Sequence, residues 1–200
     1  MDKKYVLLSD DVYEFSENKK AYRIQAIKNF GNVEAGDYGG YVESEANLSH
    51  EGNCWIYDNA CVIDNAKVTD NARLSGRALL FENARLSGNA KMSAGTAQDN
   101  VVITGNADIK NVYEITDNVI INGHAIIDGD GIYLFDNAII TENAQILDSA
   151  SVYDNAIVAG NAIISKDAHI TKNSIISGNV KISIESHINA IFTGECIISY

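Results

Sequence analysis

The sequence predicts an all-β solenoid of triangular coils, and two observations predict it. From Ile56 the chain repeats every six residues, Ile-Tyr-Asp-Asn-Ala-Cys, then Val-Ile-Asp-Asn-Ala-Lys, then Val-Thr-Asp-Asn-Ala-Arg. The frame runs to Lys181 and gives 21 units, of which 19 have six residues; Met92–Thr96 is one short and Ile127–Tyr133 one long. The second observation is the chemistry of the unit. Its first position is aliphatic or Met in 20 units, its fifth is Ala in 14 and its fourth is Asn in 14. A period of six walks around a 3.6-residue helix instead of forming a stripe, which excludes an amphipathic helix.

Each unit reads as one short strand and one corner. Side chains alternate along a strand, so positions five and one face inward while six and two face outward. Positions three and four, Asp or Gly followed by Asn, form the corner, because Asn tolerates the left-handed backbone region and bonds nearby backbone. Three units close an 18-residue coil, and stacked coils pair each strand with those above and below. Before this frame, residues 1–38 read as an N-terminal cap over the first coil, with strands at Lys4–Ser9 and Tyr22–Ile27. Residues 39–200 read as the solenoid, about seven to eight coils. Gly129-Asp130-Gly131 reads as a bulge that accommodates the extra residue of its unit. After Ile182 the frame breaks, and Cys196–Tyr200 closes the other end or meets a partner.

The aliphatic-x-Gly/Asp-Asn-Ala-x unit, over roughly residues 54–181, resembles the hexapeptide repeat of left-handed parallel β-helix proteins. The preceding segment, Tyr22 to Ala60, is similar to that of the YdcK-like group of bacterial and prophage proteins. The resemblance implies a single-stranded left-handed parallel β-helix, a homotrimer about an axis roughly parallel to the rod, and a transferase label that rests on fold. It also implies acyl transfer from acyl-CoA with a His general base near a subunit boundary. Fold alone does not establish that activity.

Composition narrows the partners. Fifteen Lys and Arg against 27 Asp and Glu give a formal charge of -12, which disfavours direct nucleic-acid binding or an anionic membrane surface. The apolar run after Lys4 has four residues, too short for a signal-peptide core, and no later stretch approaches a membrane span, so a cytoplasmic location is expected. Three cysteines without C-x-x-C spacing argue against a disulfide framework and give no support for zinc.

Outward residues 18 apart stack in columns. One column, Lys67, Arg85, Val102, Ile120, Ile139, Ile157, Ile175, is apolar over its last five members, and its neighbours Thr104, Asn122, Thr141, Ala159 and Ser177 are short. Val102, Ile120, Ile139, Ile157 and Ile175 are therefore the expected oligomer interface. Acids gather at corners: Asp58, Asp64, Asp70, Glu82, Asp117, Asp136, Glu142, Asp148 and Asp154. They read either as solvated turn residues or as an acidic, nucleic-acid-mimicking surface for a basic nucleic-acid-binding protein.

Among four histidines, His124 is the candidate base should the chain be an acyltransferase. It takes the fourth, corner position of Ile121-Asn-Gly-His-Ala-Ile126, where the apolar face ends; the opposing reading makes it a substitute for Asn. His169 and His187 share a column without an evident third imidazole, so no metal site is expected. Phe81, Phe135 and Tyr153 share another column. No long loop leaves the coils, and no phosphate-binding or nucleophile-elbow motif is present. The leading expectation is a non-catalytic, homotrimeric protein that binds a macromolecular partner, as a phage or mobile-element inhibitor would, without a cofactor. A hexapeptide-type acyltransferase using acyl-CoA is the alternative.

Overall fold

Aliphatic side chains stack on three inner faces, and each stack has nine levels. The computed structural model describes residues 2–16 and 18–200. Face 1 rises from Val42 through Val62 and Leu80 to Ile188. Face 2 rises from Leu48 through Val68 and Leu86 to Phe192. Face 3 rises from Ile56 through Leu74 and Met92 to Ile198. Strand pairing within these faces is parallel, with partners about 18 residues apart. The protein is thus an all-β parallel solenoid, as the hexad predicts.

Nine turns replace the expected seven to eight. The additional levels lie where the hexad fails but the inward aliphatics continue. In the first turn Tyr41 pairs with Cys61 and Leu48 with Val68, 20 residues apart, because a 3-10 turn at Glu45–Asn47 stands in for a corner. The last turn is tight: Ile175 pairs with Ile191 and Ile182 with Ile198, 16 residues apart. A hexad search cannot follow either turn.

The core is narrow and apolar. First-position residues such as Leu74, Leu86, Ile121 and Ile146 are fully buried, and so are the fifth-position alanines that flank them. Burying each Leu or Ile stabilises by about 1.5–3 kcal/mol. A fifth position must stay small because two faces converge there.

The corners divide their labour differently from the sequence reading. Thirteen non-glycine residues hold φ between +50° and +61°, among them Asp58, Asp117, Glu142 and Lys172, and all of them are third-position residues. The fourth-position Asn is not left-handed. Its side chain instead donates to the Asn one coil along, in rows such as Asn65–Asn83–Asn100–Asn118–Asn137–Asn155–Asn173, at 3.1–3.3 Å. Left-handed backbone costs an L-residue about 1–2 kcal/mol. An acid at that position returns something: its carboxylate accepts the third-position N–H of the next coil.

The cap is antiparallel. β1 (Tyr5–Ser16) pairs with β2 (Lys19–Ala26), which pairs with β3 (Tyr38–Val42). Both early strands exceed their expected lengths. A register shift between Leu7 and Val12 changes the phase of alternation at Asp10-Asp11, which hides the second half of β1 from a period-two reading. β3 also pairs in parallel with Cys61–Val62, so it passes the ladder from hairpin to solenoid. Gly40 makes that approach possible: a Cβ there would lie 2.3 Å from the Ala60 carbonyl oxygen.

Tyr5 and Phe30 pack edge-on to Trp55 and close the lower end of the core. At the other end Glu195–Ser199 pairs with Asn179–Ser183 as the last level, leaving Ile188, Phe192, Cys196 and Ile198 half-buried. Midway, Asp108–Ile115 and Ile126–Leu134 run as continuous strands through a corner, with register shifts around Val112 and Ile132 where the inserted residue is absorbed. Among the described residues no helix is long and apolar enough to cross a membrane.

Candidate functional site

Face 2 presents the apolar column as an aligned row. Val102, Ile120, Ile139, Ile157, Ile175 and Ile191 pair in register on successive coils, a run of about 24 Å at the strand spacing. Ile120 and Ile175 are each 37% exposed and Ile191 67%, whereas Val102, Ile139 and Ile157 are half-buried by their neighbours alone. From Val102 to Ser177 this outer face holds no titratable side chain. The other faces do: Asp108, Lys110 and Asp128 lie on face 3, and Glu114, His169 and His187 on face 1. Ile191 extends the row by one coil, and the 16-residue spacing hid it from the column reading.

The corner acids are engaged within the fold. On one edge Asp64, Glu82, Asp99, Asp117, Asp136 and Asp154 form a row in which each carboxylate accepts the N–H of the third-position residue one coil along. The row ends at the Lys172 N–H, and its bonds are 2.7–3.3 Å long. Asp58, Asp70, Glu142 and Asp148 do the same on the other corners, toward Gly76, Gly88, Gly160 and Lys166. Lys19 closes the lower end of the row with an ion pair to Asp64 at 2.6 Å. The hydrogen bond with Asp99 raises the Glu82 carboxyl above its ordinary value, and the Asp99 charge adds to it. Asp99 was passed over in the sequence reading, although it holds the same position as its neighbours.

His124 interrupts an amide row. Asn53, Asn71, Asn89 and Asn106 lie below it and Asn143, Asn161 and Asn179 above. Its exposed ring meets the Asn106 amide through Nε2 at 3.1 Å. His124 is preceded by the left-handed Gly123 and does not itself have positive φ, so its likeness to Asn is one of place in the row, not of backbone.

His50, at the lower end, is enclosed. Its Nδ1 accepts the Lys4 N–H at 3.4 Å, so the neutral ring carries its proton on Nε2. That nitrogen is buried without a hydrogen-bond partner among the described residues, 3.8 Å from Glu45. Burial lowers the His50 pKa, with Glu45 opposing. Nearby, the buried Lys4 ammonium donates to the Cys54 carbonyl at 2.9 Å and the Cys54 thiol at 3.3 Å, over the Phe30 ring. Desolvation lowers the Lys4 pKa and raises that of the Cys54 thiol.

His169 and His187 stack at 4.6 Å between ring centres, and Phe135 and Tyr153 at 4.5 Å. Among the described residues no three His, Cys, Asp or Glu side chains gather as metal ligands.

The structure also forms a cavity that the sequence reading missed. The β1–β2 hairpin lies beside the lower coils of face 1 and borders a half-open cavity of about 520 Å³ lined by Tyr13, Phe15, Tyr41, Asn59, Cys61, Arg77, Ala78 and Leu79. The sequence signal was Arg77, which stands where the hexad favours Asn. Over 60 residues the chain is 38% identical to a protein of Escherichia coli strain K12 named uncharacterized acetyltransferase YdcK. The match takes in 23% of this chain and 18% of that protein, less than a fifth of the relative's length. No family model matches the chain.

Proposed function

We propose that the protein is a non-catalytic β-solenoid that associates into a homotrimer through face 2 and binds a macromolecular partner with its remaining surface. The carrying observation is the uncharged, register-aligned row from Val102 to Ile191. Copies that each carry a formal charge of -12 repel, so self-association needs a face free of charge, and face 2 supplies it. Small residues at Thr104, Ala159 and Ser177 keep that face flat enough for three rods to meet about a parallel axis. The corner acids use one carboxylate oxygen in the inter-coil bonds, and, except at Asp64, whose second oxygen pairs with Lys19, the other is available to a basic partner.

Light scattering tests the assembly. The wild type is expected at about three times 21.7 kDa and the double variant Ile139→Glu/Ile157→Glu at the monomer mass, because each copy would bury two unpaired carboxylates. A monomeric wild type, or a variant that stays trimeric, overturns the assignment.

One observation favours a second reading, transfer of an acyl group from acyl-CoA to an amine or hydroxyl: the similarity to a protein named as an acetyltransferase. In that reading His124, exposed at the edge of face 2, is the general base toward a neighbouring subunit. Acetyl-CoA turnover over a panel of acceptors, falling about 10²-fold or more in His124→Ala, would replace the first reading with the second.

A further inference from the structure

We propose that the cavity under the β1–β2 hairpin binds a small aromatic carboxylate. The proposal is independent of the trimer and of acyl transfer. About 520 Å³ is within the range of small-molecule sites. Its walls are aromatic: Tyr13 lies 4.7 Å from Phe15 and 5.9 Å from Tyr41, ring centre to ring centre, and offers more than half of its surface to solvent.

Tyr41 is held rigidly. The Arg23 guanidinium lies over its ring at 4.3 Å and donates to its hydroxyl at 2.5 Å, and that hydroxyl donates to Asp11 at 3.1 Å. Arg23 in turn is anchored to the Gly39 carbonyl. A ring entering the cavity therefore meets a wall already fixed in place, which limits the ordering cost of binding.

The charge of the ligand follows from what is already paired. Asp11 is bound to Arg23 at 2.7 Å, Glu14 to Lys20 at 2.6 Å and Asp64 to Lys19 at 2.6 Å, while the Asp58 carboxylate accepts the Gly76 N–H through one oxygen and makes no ion pair with Arg77. Arg77, at the cavity wall, makes no ion pair or hydrogen bond among the described residues and is exposed. Its planar fork suits a carboxylate, which it can hold by two parallel hydrogen bonds. Cys61 brings no competing anion, since burial pushes its thiol up to about 12. The Asn59 amide adds a polar contact at the same wall. An aromatic face and one guanidinium without an ion pair, Arg23 being committed to Asp11 and Tyr41, thus select an apolar ring that carries one acid.

Titration calorimetry and ligand-observed NMR of the full chain test this with 2-naphthoate and its neutral counterpart 2-naphthylmethanol. The expected result is saturable 2-naphthoate binding with a Kd of about 1 mM or tighter, the value for a ligand of this size at ordinary efficiency. The alcohol should bind at least about fivefold more weakly, and Arg77→Gln should remove that difference by weakening the acid alone. Tyr13→Ala, on the exposed hairpin, should weaken both probes, with circular dichroism confirming that each variant is folded. Backbone amide shifts at Cys61 and Leu79 locate the probe. Absence of saturation at 10 mM, equal affinity for acid and alcohol, or an Arg77→Gln variant that keeps its preference for the acid overturns the proposal.

Discussion

Replacing His124 with Asn should stabilise the protein, because it completes an amide row that the wild type interrupts. In the wild type one side of position 124 is joined, by the 3.1 Å contact between Asn106 and the ring, and no bond runs on to Asn143. Elsewhere in that row the interior amides Asn71, Asn89 and Asn161 each both donate and accept, at 2.9–3.3 Å. The substitution adds about one hydrogen bond, and an intramolecular bond contributes about 0.5–1.5 kcal/mol net. Exposure of the row places the gain at the low end, about 0.5 kcal/mol, or a rise in Tm of about 1–2 °C for a chain of this length. The mirror perturbation, Asn161→His, keeps the contact from Asn143, as His124 keeps the one from Asn106, breaks the bond to Asn179 and should lower stability by about 0.5 kcal/mol. Chemical denaturation of the three proteins, comparing midpoints at constant slope, reads both effects. If His124→Asn gained nothing and Asn161→His lost nothing, the amide rows would be a consequence of stacking with no energetic share in it. The pair of variants also bears on activity. A base at position 124 would make the more stable protein the inactive one, the trade expected where a functional side chain displaces a structural one.

Two further predictions concern the lower end. Lys4→Met removes the donor shared by the Cys54, Gly52 and Glu51 carbonyls and should cost about 2 kcal/mol, a fall in Tm of about 4–8 °C by calorimetry; an unchanged Tm would show that the apolar replacement packs as well as the amine. The His50 pKa is lowered in the folded state, so the unfolded chain takes up the proton first. Its contribution is full above pH 6.5 and is lost as the pH falls through 6.5 toward the lowered value. The slope of Tm between pH 7 and 5 should flatten in His50→Gln; an equal slope in both proteins would remove His50 from the account.

The solenoid was legible because its two requirements, an inward aliphatic and an inward small residue, recur at fixed spacing in the same hexad. What was read less well was the division of labour between Asp and Asn at each corner. Both tolerate left-handed backbone and both bond locally, so composition leaves their order of duties open. The geometry assigns the strained backbone to the third residue. A carboxylate there reaches the next coil's N–H, as Asp117 reaches Asp136, while the fourth-position amide, as at Asn118, faces its own kind above and below and can both donate and accept. Lys166 and Lys172 show the limit of the rule: they accept the strain with no carboxylate of their own, and each is served from below by Asp148 or Asp154.

The candidate sites differ in legibility for a related reason. The face 2 row is periodic, so a column drawn at a spacing of 18 finds Val102 to Ile175 and fails only at Ile191, where the last coil shortens. The hairpin cavity has no period. It brings Tyr13 and Phe15 against Tyr41, Cys61 and Arg77 through the fold of β1 and β2 onto face 1, a meeting set by the register shift between Leu7 and Val12. Without that shift the alternation of β1 would carry through unchanged, and Tyr13 would take the opposite side of the hairpin from the one it now presents to Tyr41. A site of this kind is written in the sequence only as a departure from the repeat. Arg77 is that departure: a guanidinium stands where the hexad favours Asn, makes no ion pair or hydrogen bond among the described residues, and lines the aromatic cavity.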